Sequence, residues 1–209
     1  MRTFPVFDMS MERQIASDLM KEVAMQLLSK ALHDVTWPYG DRQVEDVDFA
    51  QAVIAAASGG EIAVKARIVE VNPDVLLVGG PVEQSELIDR LRRGPTVGYS
   101  KLPQLLRDTC DFDMVNRTSF EGFGWTRNAI VHAGQLPEDP VREVLDYVLG
   151  TLLPMLDDFW GFNPIPDILD WEITGVKASF FRAHIRAHHI ALTPLVETGL
   201  SELEARWPE

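Results

Sequence analysis

An arginine, an amide and a histidine stand close together in the run Arg127-Asn128-Ala129-Ile130-Val131-His132. Arginine keeps its charge and forks onto phosphate oxygens. Histidine titrates near pH ~6.5 and can give or take a proton at neutral pH. At ~100° per helical residue, with Arg127 at zero, Asn128 falls at about 100°, Val131 at about 40° and His132 at about 140°. Ala129, Ala133 and Ile130 fall at about 200°, 240° and 300°. The arithmetic predicts a helix with its small and apolar positions turned inward and Arg127, Asn128 and His132 on the other side. RNA suits such a trio, because its own 2′-hydroxyl can attack the adjacent phosphorus without a metal. That step needs a base for the hydroxyl proton and a cation for the charge growing on the phosphoryl oxygens. In this reading His132 transfers the proton, Arg127 stabilises phosphate and transition state, and Asn128 holds the imidazole or the RNA backbone. The expected ends are a 2′,3′-cyclic phosphate and a free 5′-hydroxyl. Arg127 and His132 lie too far apart around the helix to stack, so they converge from two edges of a cleft with Val131 outward between them.

The elements that must position these residues read as helices throughout. Over 11–35, Ile15, Leu19, Val23, Leu27 and Ala31 step by four. Ser10 is the expected N-cap, and Trp37-Pro38-Tyr39-Gly40 ends the element. A second helix is expected from Asp48 to Val71, stopped by Asn72-Pro73. Ser58-Gly59-Gly60 sits inside it, so either the helix breaks or something packs very closely there. Val75–Val78 could pass for a strand, but a single run makes no sheet. Shorter helices are expected over 82–93 and 99–110, the latter with Pro103 in its first turn. The motif helix starts at Thr118 or Ser119 and ends at Gly134. Val141–Trp160 reads as one apolar helix kinked at Pro154. Residues 161–166 read as a linker, and two more helices, split near Thr193-Pro194, close the chain.

The spacing alone is common; Arg182 also precedes His188, by six positions. Its context is more particular. Arg127-Asn128-x-Ile130-Val131-His132-x-Gly134 resembles the signature of the HEPN superfamily, small all-helical proteins whose ribonuclease members carry Arg-x4–6-His with a polar residue after the arginine. The segment from Glu61 through Lys65, Arg67 and Glu70 to Asn72-Pro73 and Leu76-Leu77 is similar to that family's second long helix. The likeness spans about residues 10–160. It implies an all-α, HEPN-like antiparallel helical bundle over 1–163 with a C-terminal helical extension, 164–209, packed on it. It favours an unbroken second helix. It also implies a homodimer with both motifs lining one groove, and Glu61 and Lys65 directed toward that groove as substrate-binding positions. The plainer reading of Glu61 and Lys65 is an i, i+4 ion pair. HEPN toxins neutralised by nucleotidyltransferases commonly carry a tyrosine two residues after the motif histidine. Gly134 stands there, which argues against that control and leaves an antitoxin that binds directly, or none.

Charge pulls the other way. Asp and Glu outnumber Lys and Arg 32 to 19, a net charge of −13. Nucleic-acid binding normally shows a basic footprint, and acidity also suits a basic protein partner. Arg90, Arg92, Arg93, Lys101 and Arg107 do cluster. Cys110 is alone, so no disulfide framework is expected, in keeping with a reducing cytoplasm. No signal peptide and no membrane span is read from the sequence. His184, His188 and His189 could share a helix face, but Arg182 and Arg186 beside them would repel a cation, and no metal or cofactor is expected. Tyr99 and Trp125 could stack on bases, with core packing the plainer reading of each. The sequence thus predicts a metal-independent endoribonuclease with a toxin or defence role. The alternatives are a non-catalytic module binding RNA or a nucleotide, and a helical protein–protein adaptor.

Overall fold

The computed structural model describes residues 9–36, 45–81, 86–161, 163–172 and 178–206. Among them the elements are helical, and the β-type pairing is an isolated antiparallel bridge between Leu77 and Thr96. The protein is all-α. Two long helices, α1 (Met9–Thr36) and α2 (Asp46–Val71), precede α3 (Leu87–Arg93), α4 (Leu102–Cys110) and α5 (Arg117–Ala133). Then come α6 (Pro140–Tyr147), α7 (Leu153–Trp160), α8 (Ile165–Glu172), α9 (Ala178–Ala187) and α10 (Pro194–Arg206). Ser10 falls inside α1, whose first described residue is Met9. The stop at Trp37–Gly40 and the leading residues of the helix expected over 82–93 lie outside the described residues.

The chain divides into two compact units, Met1–Val23 with Glu61–Met114 and Ala24–Gly60 with Val115–Glu209. In the first, Ser17 ties α1 to α2: its Oγ donates to the Ala66 carbonyl (3.2 Å) and to Glu70 Oε1 (3.1 Å). Lys21 and Arg67 both pair with Glu70. The run considered for a strand is a 3-10 turn, Pro73–Leu76, entered through an Asn72 cap. Val78 N–H then reaches the Pro95 carbonyl and Val97 N–H the Leu76 carbonyl, so two loops pair for one bridge and go no further. Burial pushes the Cys110 thiol pKa up, against the opposing effect of Arg67 and with a smaller push from Glu70. Its Sγ rests 3.7 Å from the Arg67 carbonyl.

The second unit is organised by two glycines. α2 runs unbroken through Ser58-Gly59-Gly60, as the close-packing reading requires. A Cβ on Gly60 would run into the Tyr147 hydroxyl and stand 3.0 Å from Leu152 Cδ2. On Gly59 it would stand 2.8 Å from Leu28 Cδ2 and 3.2 Å from the Ala24 carbonyl oxygen. Bare backbone at these two positions lets α1 and Tyr147 close in. Tyr147 is buried and stacks on Phe123 of α5, with ring centroids 3.9 Å apart and planes 4° apart.

The helix expected from Val141 to Trp160 is interrupted. A π turn, Val148–Leu152, separates α6 from α7, and the Leu153 N–H reaches back to the Val148 carbonyl. Pro154 lies just beyond it, in the first turn of α7, and the Gly150 carbonyl four residues earlier accepts instead from Asn116 Nδ2. Gly161, at φ +66°, ends α7. The expected linker is shorter than 161–166, because Ile165 and Pro166 are buried and open α8. Proline is tolerated in a helix's first turn, so this one does not mark a loop. Among the described residues α8 therefore precedes the two helices expected at the C-terminus, α9 and α10, and α10 begins at Pro194, where the split was expected. Gly199 of α10 lies against Ile165, and Ser29 Oγ of α1 donates to the Ile168 carbonyl at 2.7 Å.

Candidate active site

Side chains at the beginning of α5 and backbone geometry at its end hold it in place. Asn116 Nδ2 donates to the Gly150 carbonyl (2.7 Å) and Thr151 Oγ1 donates to Ser119 Oγ (2.8 Å), tying the first turn to the π turn. At the other end Gly134 takes the left-handed conformation, φ +63°, and its N–H reaches the Ile130 carbonyl at 2.9 Å. The helix is where the motif needed it, beginning one residue before Thr118.

Its rotation differs from the expectation. Phe120, Phe123, Gly124 and Ile130 are buried, whereas Ala133 is exposed and Ala129 half-buried. The buried direction thus follows the two phenylalanines one and two turns upstream, and Arg127 lies on that side. Arg127 is half-buried, its Nε is away from solvent, and neighbouring groups engage it. Asn128 and His132 are exposed, and Val131 is outward on the Arg127 side of them. The three residues sit on adjoining faces rather than on a common one. The cation lies at the edge of the core, and the amide and imidazole stand in solvent.

Trp125 was read as core and is not: 72 % of it is exposed. At ~100° per residue it falls at about 160°, on the flank of Asn128 and His132. The i, i+3, i+7 spacing of Trp125, Asn128 and His132 was visible in the sequence; that this flank faces solvent was not.

Glu61 and Lys65 belong to the first unit and Arg127, Asn128 and His132 to the second. Lys65 is buried (8 % exposed), and its Nζ donates to Glu61 Oε1 at 2.6 Å and to Thr96 Oγ1 at 2.9 Å. The i, i+4 ion pair is therefore present, with Thr96 as a second partner that no sequence spacing announced. The basic cluster is partly neutralised in place: Arg93 pairs with Asp89 (3.8 Å) and Arg107 with Asp113 (3.2 Å).

The C-terminal histidines form a separate group in the second unit. The His184 and His188 rings lie 4.8 Å apart, and His188 Nδ1 is 3.8 Å from Asp139 Oδ2. Burial, then the neighbouring His188, lowers the His184 pKa, against a hydrogen bond with the Val35 backbone. Arg182 is held by Glu197 (2.9 Å) and Glu204.

Among the described residues no helix is long and apolar enough to cross a membrane. No family model matches the chain, and no curated protein and no solved structure is significantly similar to it.

Proposed function

We propose that this chain is a metal-independent endoribonuclease of HEPN type, with a toxin or nucleic-acid defence role in the cytoplasm. The observation that carries the reading is the solvent-facing His132, one turn from exposed Asn128, on a helix whose half-buried Arg127 borders the same flank. A phosphodiester lying along that edge meets a fixed cation from the core side and an imidazole from the solvent side. His132 takes the 2′-hydroxyl proton, the 2′-oxygen attacks phosphorus, and the 5′-oxygen leaves and receives a proton. Arg127 balances the charge gathering on the non-bridging oxygens. Asn128 orients the imidazole or the backbone, and Trp125 offers an aromatic face for a base. The chain acts as a homodimer, without a cofactor, and an antitoxin that binds it directly suits its acidity.

The net charge of −13 favours, as a second reading, a module that binds a partner or a nucleotide without cutting. Labelled single-stranded RNA incubated in EDTA with wild type, His132→Ala and Arg127→Ala decides between the two. Wild-type cleavage leaving cyclic phosphate ends, reduced in both variants, is the expected result. Equal cleavage by all three would move the activity to another site, and none by any of them would favour the second reading.

A further inference from the structure

We propose that the groove between α1 and α3 in the first unit binds an aliphatic carboxylate, the anion of a free medium-chain fatty acid. The groove holds ≈ 690 Å³, within the ~300–1,000 Å³ usual for small-molecule sites. Leu19, Met20 and Val23 of α1, Ile62 of α2, and Ile88 and Leu91 of α3 line it. Leu19, Val23 and Ile88 are exposed, so the walls are open to an occupant. Single exposed apolar residues are ordinary; several around one concavity are the mark of a site.

The walls select the ligand by what they offer and by what they withhold. Each of those six side chains is aliphatic or a thioether. Among the described lining residues there is no aromatic ring to stack on a flat ligand, and no hydroxyl, amide or carboxylate to read polar groups along a ligand's body. A flexible hydrocarbon chain gains from such walls through the area it removes from water, and Met20 adds a side chain that adapts its shape to the contact. The charged group among the described lining residues is Arg92, exposed, in the last turn of α3 and one turn from Ile88. Its neighbours are engaged: Arg93 pairs with Asp89, and Arg90 Nη2 donates to the Val78 carbonyl. On α1, Asp18 pairs with Lys21 and Glu22 is engaged as well. Among the described residues no carboxylate pairs with Arg92. A guanidinium forks onto a carboxylate with two parallel hydrogen bonds. A ligand with its tail on the walls and one anionic head at the wet rim therefore satisfies both parts of the groove. A polyanion would meet the chain's net charge of −13 with little to offset it. No residue of α5 takes part, so the site is independent of the nuclease reading.

Isothermal titration calorimetry of the full chain with sodium dodecanoate, kept below micelle formation, tests the site. One equivalent is expected to bind with a Kd of about 10–100 μM. Decanoate, two methylenes shorter, binds about tenfold more weakly. Arg92→Gln weakens dodecanoate about tenfold, and Ile88→Glu, which sets a like charge against the tail, weakens it about a hundredfold. Arg93→Gln, whose charge Asp89 already answers, leaves it within about twofold. These positions are exposed, and an unchanged helical circular-dichroism signal verifies folding. If Ile88→Glu loses that signal, Arg92→Gln and the chain-length comparison carry the test. No binding by wild type overturns the proposal, as does binding that Arg92→Gln leaves unchanged. Uptake of several molecules per chain, indifferent to both side chains, is detergent-like adsorption and overturns it too. A dimer that Ile88→Glu dissociates, with no dodecanoate bound, gives the groove to a second copy and overturns it as well.

Discussion

Two helices of the second unit carry an arginine followed by histidine, and they hold it differently. On α9, Arg182 is caught by the carboxylates of Glu197 and Glu204 on α10. Burial by itself would lower its guanidinium pKa, and the hydrogen bonds to the two carboxylates outweigh that and raise it. His184 is half-buried, and His188 faces Asp139. On α5, Arg127 is turned to the margin of the core while the histidine five positions on is in solvent. One arginine fastens two helices together; the other borders an open flank. Spacing along the chain does not distinguish them, because it says nothing of what stands opposite each side chain.

The largest effect expected from this contrast is on cleavage. His132→Ala lowers the rate by about 10²–10⁴, the usual contribution of a proton-transfer group, and His188→Ala leaves it within about twofold. Comparable losses in the two variants would erase the contrast. Next comes the support behind α5. Gly60→Ala drives a methyl into the Tyr147 hydroxyl, and Tyr147, stacked on Phe123, has nowhere to swing. The overpacking costs about 1–3 kcal/mol, only partly offset by alanine's better helix propensity. A urea midpoint that does not fall in Gly60→Ala would show that the stack yields.

Smaller still, Arg182→Ala should cost about 1 kcal/mol of stability, because Glu197 and Glu204 are partly exposed and solvent screens what they lose. Its cleavage rate should stay at the wild-type value, where the α5 variants do not. The slightest effect is on pH dependence. The folded pKa of His184 lies below its usual ~6.5, so above that pH both folded and unfolded chains are neutral there. As pH falls below ~6.5 the unfolded chain takes up the proton first, and stability declines until the folded pKa is passed. In His184→Gln the melting temperature should decline less steeply from pH 7 to pH 5 than in wild type. Parallel slopes in the two proteins would remove His184 from the account.

Much of the fold was legible because helix signals are local. The fourfold step of Ile15, Leu19 and Val23, the Asn72-Pro73 stop and the Gly134 terminus each follow from nearby residues. Even the unbroken passage through Gly59-Gly60 could be anticipated, since two glycines inside a helix ask for a close neighbour. What could not be read was which neighbour, and Tyr147 lies far along the chain. The rotation of α5 failed for a related reason. Ala129 and Ala133 are small enough to face either way, whereas Phe120 and Phe123 must be buried, and they carried Arg127 inward with them. Trp125 misled in the opposite sense, a large aromatic left in solvent. In α1 the periodicity promised an apolar face and kept silent on its cover: Ala24, Leu28 and Leu32 are fully buried in one unit, while Ile15, Leu19 and Val23 stand open in the other.

The π turn at Val148–Leu152 adds a constraint on the length of the chain. Closing a hydrogen-bonded ring over five residues instead of four lodges one extra residue in the helix. That residue advances everything after it by ~100° about the axis. Buried Val144 and Tyr147 before the turn and buried Met155 and Leu156 after it both face the interior with the extra residue in place. Dropping one residue between Val148 and Leu152 would straighten the helix and rotate Leu156 off the core, although no side chain had been exchanged. At this point the fold counts residues rather than reading their identity, so a one-residue deletion here should be tolerated less well than most substitutions at the same five positions.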